Sequence, residues 1–306
     1  MPYDAFIQRF QELGLSPEVI ALARGMLLGD KGGIDPALVQ SFRSAGMSHL
    51  LAVSGLHVGV IMSLVWLVLS PVEALVRLVA PLRMVVYYAT GIVKRLLVIV
   101  LTVGYVWFIG APTSAVRAAL MLCLCLVGWM LQRPTSAWNC LLLAALVLLA
   151  LDPWNVTQVG FQLSFLAVAG ILLFQPWLQD YSLRWWERMV LLSISAQWLT
   201  VPVTAYYFHQ VPFLGWLQGL LVVPLVPFFV GFLLLGCLFP SLHWLCTPIE
   251  ALYGWITWAS QLITQWERWL LGGHLYFYPS LVEVILAEVF FLALIILLRI
   301  RRASNQ

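Results

Sequence analysis

Ser54 and His57 stand three apart in the run HLLAVSGLHVG, residues 49–59. On a helix this spacing makes them neighbours on one face. A hydroxyl beside an imidazole is a pairing that nucleophilic catalysis uses. Gly55 and Gly59 have the small-xxx-small spacing that lets a second helix approach closely. His49 and His57 lie eight apart, off a common face, and no carboxylate is near them in sequence, so no metal site is expected. Arg117, in GAPTSAVRAALM (110–121), falls about one turn into an apolar run. A guanidinium there either snorkels to the membrane interface or faces the bundle interior, where it can contact phosphate. In LDPWNVTQVGFQLSFLAVAG (151–170), Asp152 closes one apolar run, while Gln162 and Ser164 come early in the next. Buried amides and hydroxyls commonly hydrogen-bond between helices, and Asp152 is an expected partner for Arg117. SISAQWLTVPVTAYYFH (193–209) adds Gln197, Thr200, Thr204 and a break at Pro202.

The elements that must position these residues follow from composition. The chain has 306 residues, 62% hydrophobic and 9% charged, with mean hydropathy +0.96. Soluble domains carry roughly 25% charged residues, so a soluble enzyme is excluded. The net charge of +3 gives no support to nucleic-acid binding by bulk charge. With about 20 apolar residues per crossing, the expected fold is an all-α polytopic membrane bundle of about seven to nine transmembrane helices. Spans are expected near 50–70, 95–110, 113–131, 137–151, 159–177, 189–209, 213–239 and 282–298. Pro202, Pro224 and Pro227 break two of them, which membrane proteins tolerate where helices are buried in protein or line a watery cavity. The stretch 250–271 is either another span or an interfacial helix, since Trp255, Trp258, Trp266 and Trp269 favour the headgroup region. The five cysteines lie in apolar runs and suggest neither disulfides nor a metal cluster. No cofactor is implied.

Residues 1–48 read as short amphipathic helices broken at Gly32-Gly33, with Ser16-Pro17-Glu18 as a helix start. Met1 opens no signal-peptide pattern. Residues 49–300 form the membrane domain and 301–306 a basic polar tail. Arg77, Arg83, Lys94 and Arg95 read as the connection between the first two spans, with Arg133 and the pair Arg184 and Arg188 in later ones. The intervening breaks lack Lys and Arg. The positive-inside rule then puts the basic connections and the C-terminus in the cytoplasm and residues 1–48 outside.

Two alternatives rest on these features. An intramembrane hydrolase would use Ser54 and His57. The spacing Ser54-Gly55-x-x-x-Gly59 is similar to the serine motif of rhomboid proteases, but Ala52 stands where those enzymes have Gly, and none of His209, His243 and His274 opens their HxxGxxxG pattern. A small-solute transporter would share the broken helices, yet the two halves show no inverted repeat.

Taken in order, the polar blocks resemble the competence domain of the ComEC family of bacterial DNA-uptake proteins. The likeness runs from ALARGMLLGDKGGIDPALVQSFRSAGMSHLLAVSGLHVGVI through the second, third and fourth blocks to QGLLVVPLVP (218–227), or about residues 20 to 235. HLLAVSGLHVG is its most specific part. The resemblance implies an inner-membrane channel, without enzymatic activity in this chain, that passes one strand of transforming DNA. It maps His49, Ser54, Gly55, His57 and Gly59 onto the signature segment, Arg117 onto the next block, and Asp152, Gly160, Phe161, Gln162 and Ser164 onto the third. Gln197 and Pro202 fall in the fourth. Gly219 stands where the family often has Asn. The resemblance also implies single-stranded DNA, a cytoplasmic helicase, single-strand-binding proteins and an external DNA receptor as partners. Family members usually carry OB-like and metallo-β-lactamase-like nuclease domains in the same polypeptide. Neither is expected within these residues, so the chain reads as an excised core or a truncated member.

Overall fold

The computed structural model describes residues 2–51, 53–79, 83–133, 135–179, 182–271 and 277–304. Among the described residues there are fourteen α-helices and no strand. These are α1 (Pro2–Leu13), α2 (Pro17–Leu28), α3 (Pro36–Ser44), α4 (Gly55–Val79), α5 (Arg83–Phe108), α6 (Thr113–Met130), α7 (Ala137–Leu151), α8 (Val159–Leu178), α9 (Trp185–Trp198), α10 (Val201–Phe208), α11 (Gln218–Leu221), α12 (Val226–Leu238), α13 (Cys246–Leu271) and α14 (Leu281–Ser304).

Five stretches are long and apolar enough to cross a bilayer: Gly55–Val76, Ala89–Phe108, Thr113–Met130, Val159–Leu178 and Leu281–Leu298. The pair α9 and α10 bends by 56°, and Gly215–Leu221 with Val226–Leu238 bends by 57°, so the count reaches seven if each pair is one span. That meets the lower end of the expected range. The run at 137–151 gives a 15-residue helix, about 22 Å long at 1.5 Å per residue, which falls short of a hydrocarbon core of ~30 Å. α13 is 26 residues long but is absent from the spans that length and hydropathy select.

Two of the three expected proline breaks fall at helix starts, and Pro224 lies in the turn before α12. Pro202 is the second residue of α10 and Pro227 the second of α12. The first turn of a helix has no intrahelical acceptor for its N–H groups, so proline fits there without losing a bond. Thr200 Oγ1 donates to the carbonyls of Ala196 and Gln197, both at 3.2 Å, and so satisfies backbone oxygens beside the bend.

The chain divides into two compact units. The first comprises Met1–Ile34, His49–Leu148 and Val226–Leu252. Here α4, α5 and α6 pack on one another, and α12 packs on α1, α2 and α4. α2 is enclosed on almost every side, from Val19 to Leu28. Its start is held from a distance, since Glu250 accepts from the Ser16 N–H at 2.7 Å and the Ser16 hydroxyl at 3.2 Å. The basic residues read as a connection between the first two spans lie in helices instead. Lys94 is buried inside the Ala89–Phe108 span, where its Nζ is 3.2 Å from Glu73 Oε2, 2.6 Å from Ser70 Oγ and 3.8 Å from the Trp66 ring centroid. An ammonium is tolerated at that depth because an anion, a hydroxyl and an aromatic face replace its water.

The second unit comprises Asp35–Ser48, Leu149–Leu225 and Tyr253–Gln306. Its tightest packing joins α8 to α9 at Gly170, where a Cβ would overlap the carbonyl oxygen of Ser195. α11 meets α9 in a similar way, since a Cβ on Gly219 would lie 2.5 Å from that of Ser193. A larger residue at Gly219 would therefore crowd α9. α14 packs along α10 and continues to Ser304. Residues 305–306 of the expected tail lie outside the described residues.

Candidate functional site

The signature segment is a helix start rather than a continuous helix. Residues 48–51 make a 3-10 turn, and α4 begins at Gly55. His49 is exposed on that turn, and Ala52 lies outside the described residues. The Ser54 carbonyl accepts the first helical bond, from the Val58 N–H at 3.2 Å. The Ser54 N–H donates to His57 Nδ1 at 3.1 Å, and Ser54 Oγ lies 3.3 Å from the same nitrogen. This is one half of a capping box, the third helical side chain reaching back to the cap N–H, with imidazole in the place usually taken by Glu or Gln. The Nδ1 lone pair is engaged by a backbone amide, and His57 is fully buried. The Ser–His spacing thus serves the start of α4, with the Ser54 amide on the same imidazole nitrogen that its hydroxyl approaches.

Helix α6 docks on this start. Ser114 Oγ donates to the Val53 carbonyl at 2.7 Å. About one turn later, Arg117 lies against Gly55: a Cβ on Gly55 would stand 3.0 Å from Arg117 Nη2 and 3.4 Å from the Ala118 Cβ. Arg117 is only 7% exposed, so it faces inward and does not snorkel. The close approach expected of the Gly55 and Gly59 pair holds for Gly55 alone. A Cβ on Gly59 would meet nothing within 4 Å, so the spacing served one contact and not two.

The remaining candidates belong to the second unit. Asp152 Oδ1 accepts from the Trp154 N–H at 3.0 Å and caps the short 3-10 turn Pro153–Thr157. The expected pairing of Asp152 with Arg117 would join residues of different units, whereas this cap is local. Phe161 is buried and packs tilted against Phe165 with centroids 4.3 Å apart. Gln162 Nε2 donates to the Val156 carbonyl at 2.9 Å, tying α8 back to the preceding turn. Ser164 is half-buried on α8. Gln197 Nε2 reaches Ser193 Oγ at 3.2 Å, and its Oε1 would stand 3.0 Å from a Cβ on Gly215. Gln197 thus packs the bend that Pro202 opens. Pro202 also lines a cavity of about 630 Å³ with Val201, Ala205, Tyr278, Glu283 and Phe291.

Sequence reading missed two intramembrane groups. One is the Lys94–Glu73 pair, which was hidden because both residues sit near runs that look like loop. The other is Glu288, a lone carboxylate in VILAEVFFLALIILL. Its signal was plain, since an ionisable residue in an apolar span is a functional hypothesis by default.

Helices of this length and hydropathy, broken at prolines, define an all-α multi-pass membrane protein. A sequence model of the Competence protein family matches residues 26–303, and the chain belongs to that family. ComE operon protein 3 of Bacillus subtilis (strain 168) is 26% identical over 217 residues, covering 70% of this chain and 26% of that protein. Competence protein ComA of Neisseria gonorrhoeae is 30% identical over 244 residues, 78% of this chain and 31% of its own length. Recombination protein 2 of Haemophilus influenzae (strain ATCC 51907 / DSM 11121 / KW20 / Rd) is 23% identical over 244 residues, 76% and 29% respectively. The chain thus spans between a quarter and a third of the relatives it matches. No solved structure matches it significantly.

Proposed function

We propose that the chain is the membrane core of a DNA-uptake protein: an inner-membrane channel through which single-stranded DNA enters the cytoplasm during competence. Membership of the Competence protein family supports the biological setting. The structural observation that carries the reading is the buried Arg117 guanidinium against the N-terminal end of α4. A buried guanidinium at a helix junction suits contact with a phosphate backbone. Few interior cations suit it too, because conduction needs binding weak enough to release. In this reading the end of α6 near Arg133 faces the cytoplasm. A helicase and single-strand-binding proteins would draw the strand in, and an external receptor would deliver it. OB-like and nuclease domains would be supplied by the rest of a longer polypeptide.

The test is the fate of labelled duplex DNA in a naturally transformable host lacking the gene. DNA should still reach the outer compartment, while no labelled single strand appears in the cytoplasm. Unchanged cytoplasmic entry would sink the channel reading.

The hydrolase alternative is separated by Ser54→Ala. A hydroxyl that only shares a capping nitrogen is worth about 1 kcal/mol, so DNA uptake should stay within a few-fold of wild type. Complete loss of uptake in a variant that still folds would restore the nucleophile.

A further inference from the structure

The last span carries a second anomaly, independent of what passes through the protein. In α14 the residues turned inward are Val284 and Ile295, 7% and 1% exposed. Glu288 and Phe291 fall between them at helical spacing, and both are half-buried on the same face. Glu288 is also near the midpoint of the Leu281–Leu298 span, whose mean hydropathy of 2.8 is the highest among the single-helix spans. The Oε1 atom of Glu288 is fully buried and has no hydrogen-bond partner among the described residues.

Among the described residues, the elements packed on α14 bring no counter-charge to this stretch. α10, packed along α14, brings the phenols Tyr206 and Tyr207 and ends at His209. His209 is engaged elsewhere, stacked on Tyr278 with centroids 4.7 Å apart and accepting the Phe277 N–H on its carbonyl at 3.2 Å. α9 contributes the Trp198 ring, 5.0 Å from that of Phe291, while Arg184, Glu187 and Arg188 belong to the opposite end of that helix. On α14 itself, Glu283 is exposed and accepts from the Ser280 N–H at 2.6 Å. An ionised Glu288 would therefore carry charge on a carboxylate with one oxygen buried and no counter-charge among these described residues, which membrane interiors disfavour. A bound proton removes that charge.

Access is provided nearby. The 630 Å³ cavity beside α10 is lined by Glu283, Val284, Ala287 and Phe291 of α14. Glu288 lies in the same stretch, five residues beyond Glu283 and about 7.5 Å further along the helix axis. We propose that Glu288 is a proton-binding site, its carboxyl exchanging a proton with water that enters by way of this cavity. Such a site gives the second unit a titratable group on the helix whose Ala287 and Phe291 share this cavity with Pro202.

The full chain in lipid nanodiscs, treated with N,N′-dicyclohexylcarbodiimide at a series of pH values, tests this. The reagent adds to protonated carboxyls in apolar surroundings and leaves a stable adduct that peptide mass spectrometry locates. The adduct is expected at Glu288 at acid and neutral pH, declining as pH rises, and absent from E288Q. Exposed Glu283 should stay unmodified. No adduct at Glu288 at any pH, while the reagent labels other carboxyls, would overturn the assignment. So would a yield that is flat from acid to alkaline pH. Protection by sodium ions at fixed pH would overturn it in favour of a metal cation. None of these outcomes depends on DNA uptake, so the channel reading and the proton site stand or fall separately.

Discussion

Replacing Gly170 by alanine is expected to be the most disruptive single-methyl change in the second unit. The added Cβ would overlap a backbone carbonyl, that of Ser195, which cannot swing aside as a side chain can. Either α8 and α9 separate along their length or the residue is expelled. Overpacking of this kind costs typically about 1–3 kcal/mol and occasionally more, and here it falls on the closest helix pair of the unit. Gly160, on the same helix, is the control, because a Cβ there meets nothing within 4 Å. Gly160→Ala should leave stability unchanged or slightly raised, since alanine is the better helix former by roughly 1 kcal/mol in water. Thermal unfolding of the detergent-solubilised protein would compare them. Equal midpoints for Gly170→Ala and wild type would show that α8 and α9 do not meet at this carbonyl.

Such positions show what a single sequence reveals and what it withholds. The membrane class, the helical fold and the proline bends are legible because each follows from composition or from local backbone chemistry. Pro202 and Pro227 restrict their own residues, and the structure places new helix starts beside them. Whether a given glycine or polar residue matters depends on a distant neighbour. Gly55 and Gly59 look equivalent in sequence, yet only Gly55 has α6 against it. Ser54 and His57 look like reactive partners, but the helix begins between them, which turns the pair into a cap. Lys94 looks like a loop cation because its counter-ion is 21 residues away on the preceding helix. Glu288 needed no neighbour to be noticed. The four polar blocks drew attention first, and a lone carboxylate forms no block.

Arg117→Ala is expected to have the largest effect on DNA uptake. The side chain is buried in the second turn of α6 and rests on Gly55 at the start of α4. Its charge is therefore spent inside the protein and not at the lipid headgroups. A charge-assisted hydrogen bond contributes about 1.5–3 kcal/mol, and tenfold corresponds to about 1.4 kcal/mol. Losing one phosphate contact should thus cost at least about tenfold in cytoplasmic single strand, and loss of two should bring uptake close to background. Arg117→Lys keeps the charge but not the planar fork, so it should fall between alanine and wild type. Gly55→Ala separates charge from packing. The new Cβ would crowd Nη2 at 3.0 Å, but that atom ends a flexible side chain and can shift, so most uptake should remain. The ordering Gly55→Ala, Arg117→Lys, Arg117→Ala, measured as labelled strand recovered from the cytoplasm of cells with equal amounts of folded protein, is what an anion path at the α4–α6 junction requires. If Arg117→Ala takes up DNA as well as wild type, the strand does not pass there, and the guanidinium serves only to hold α6 on the start of α4.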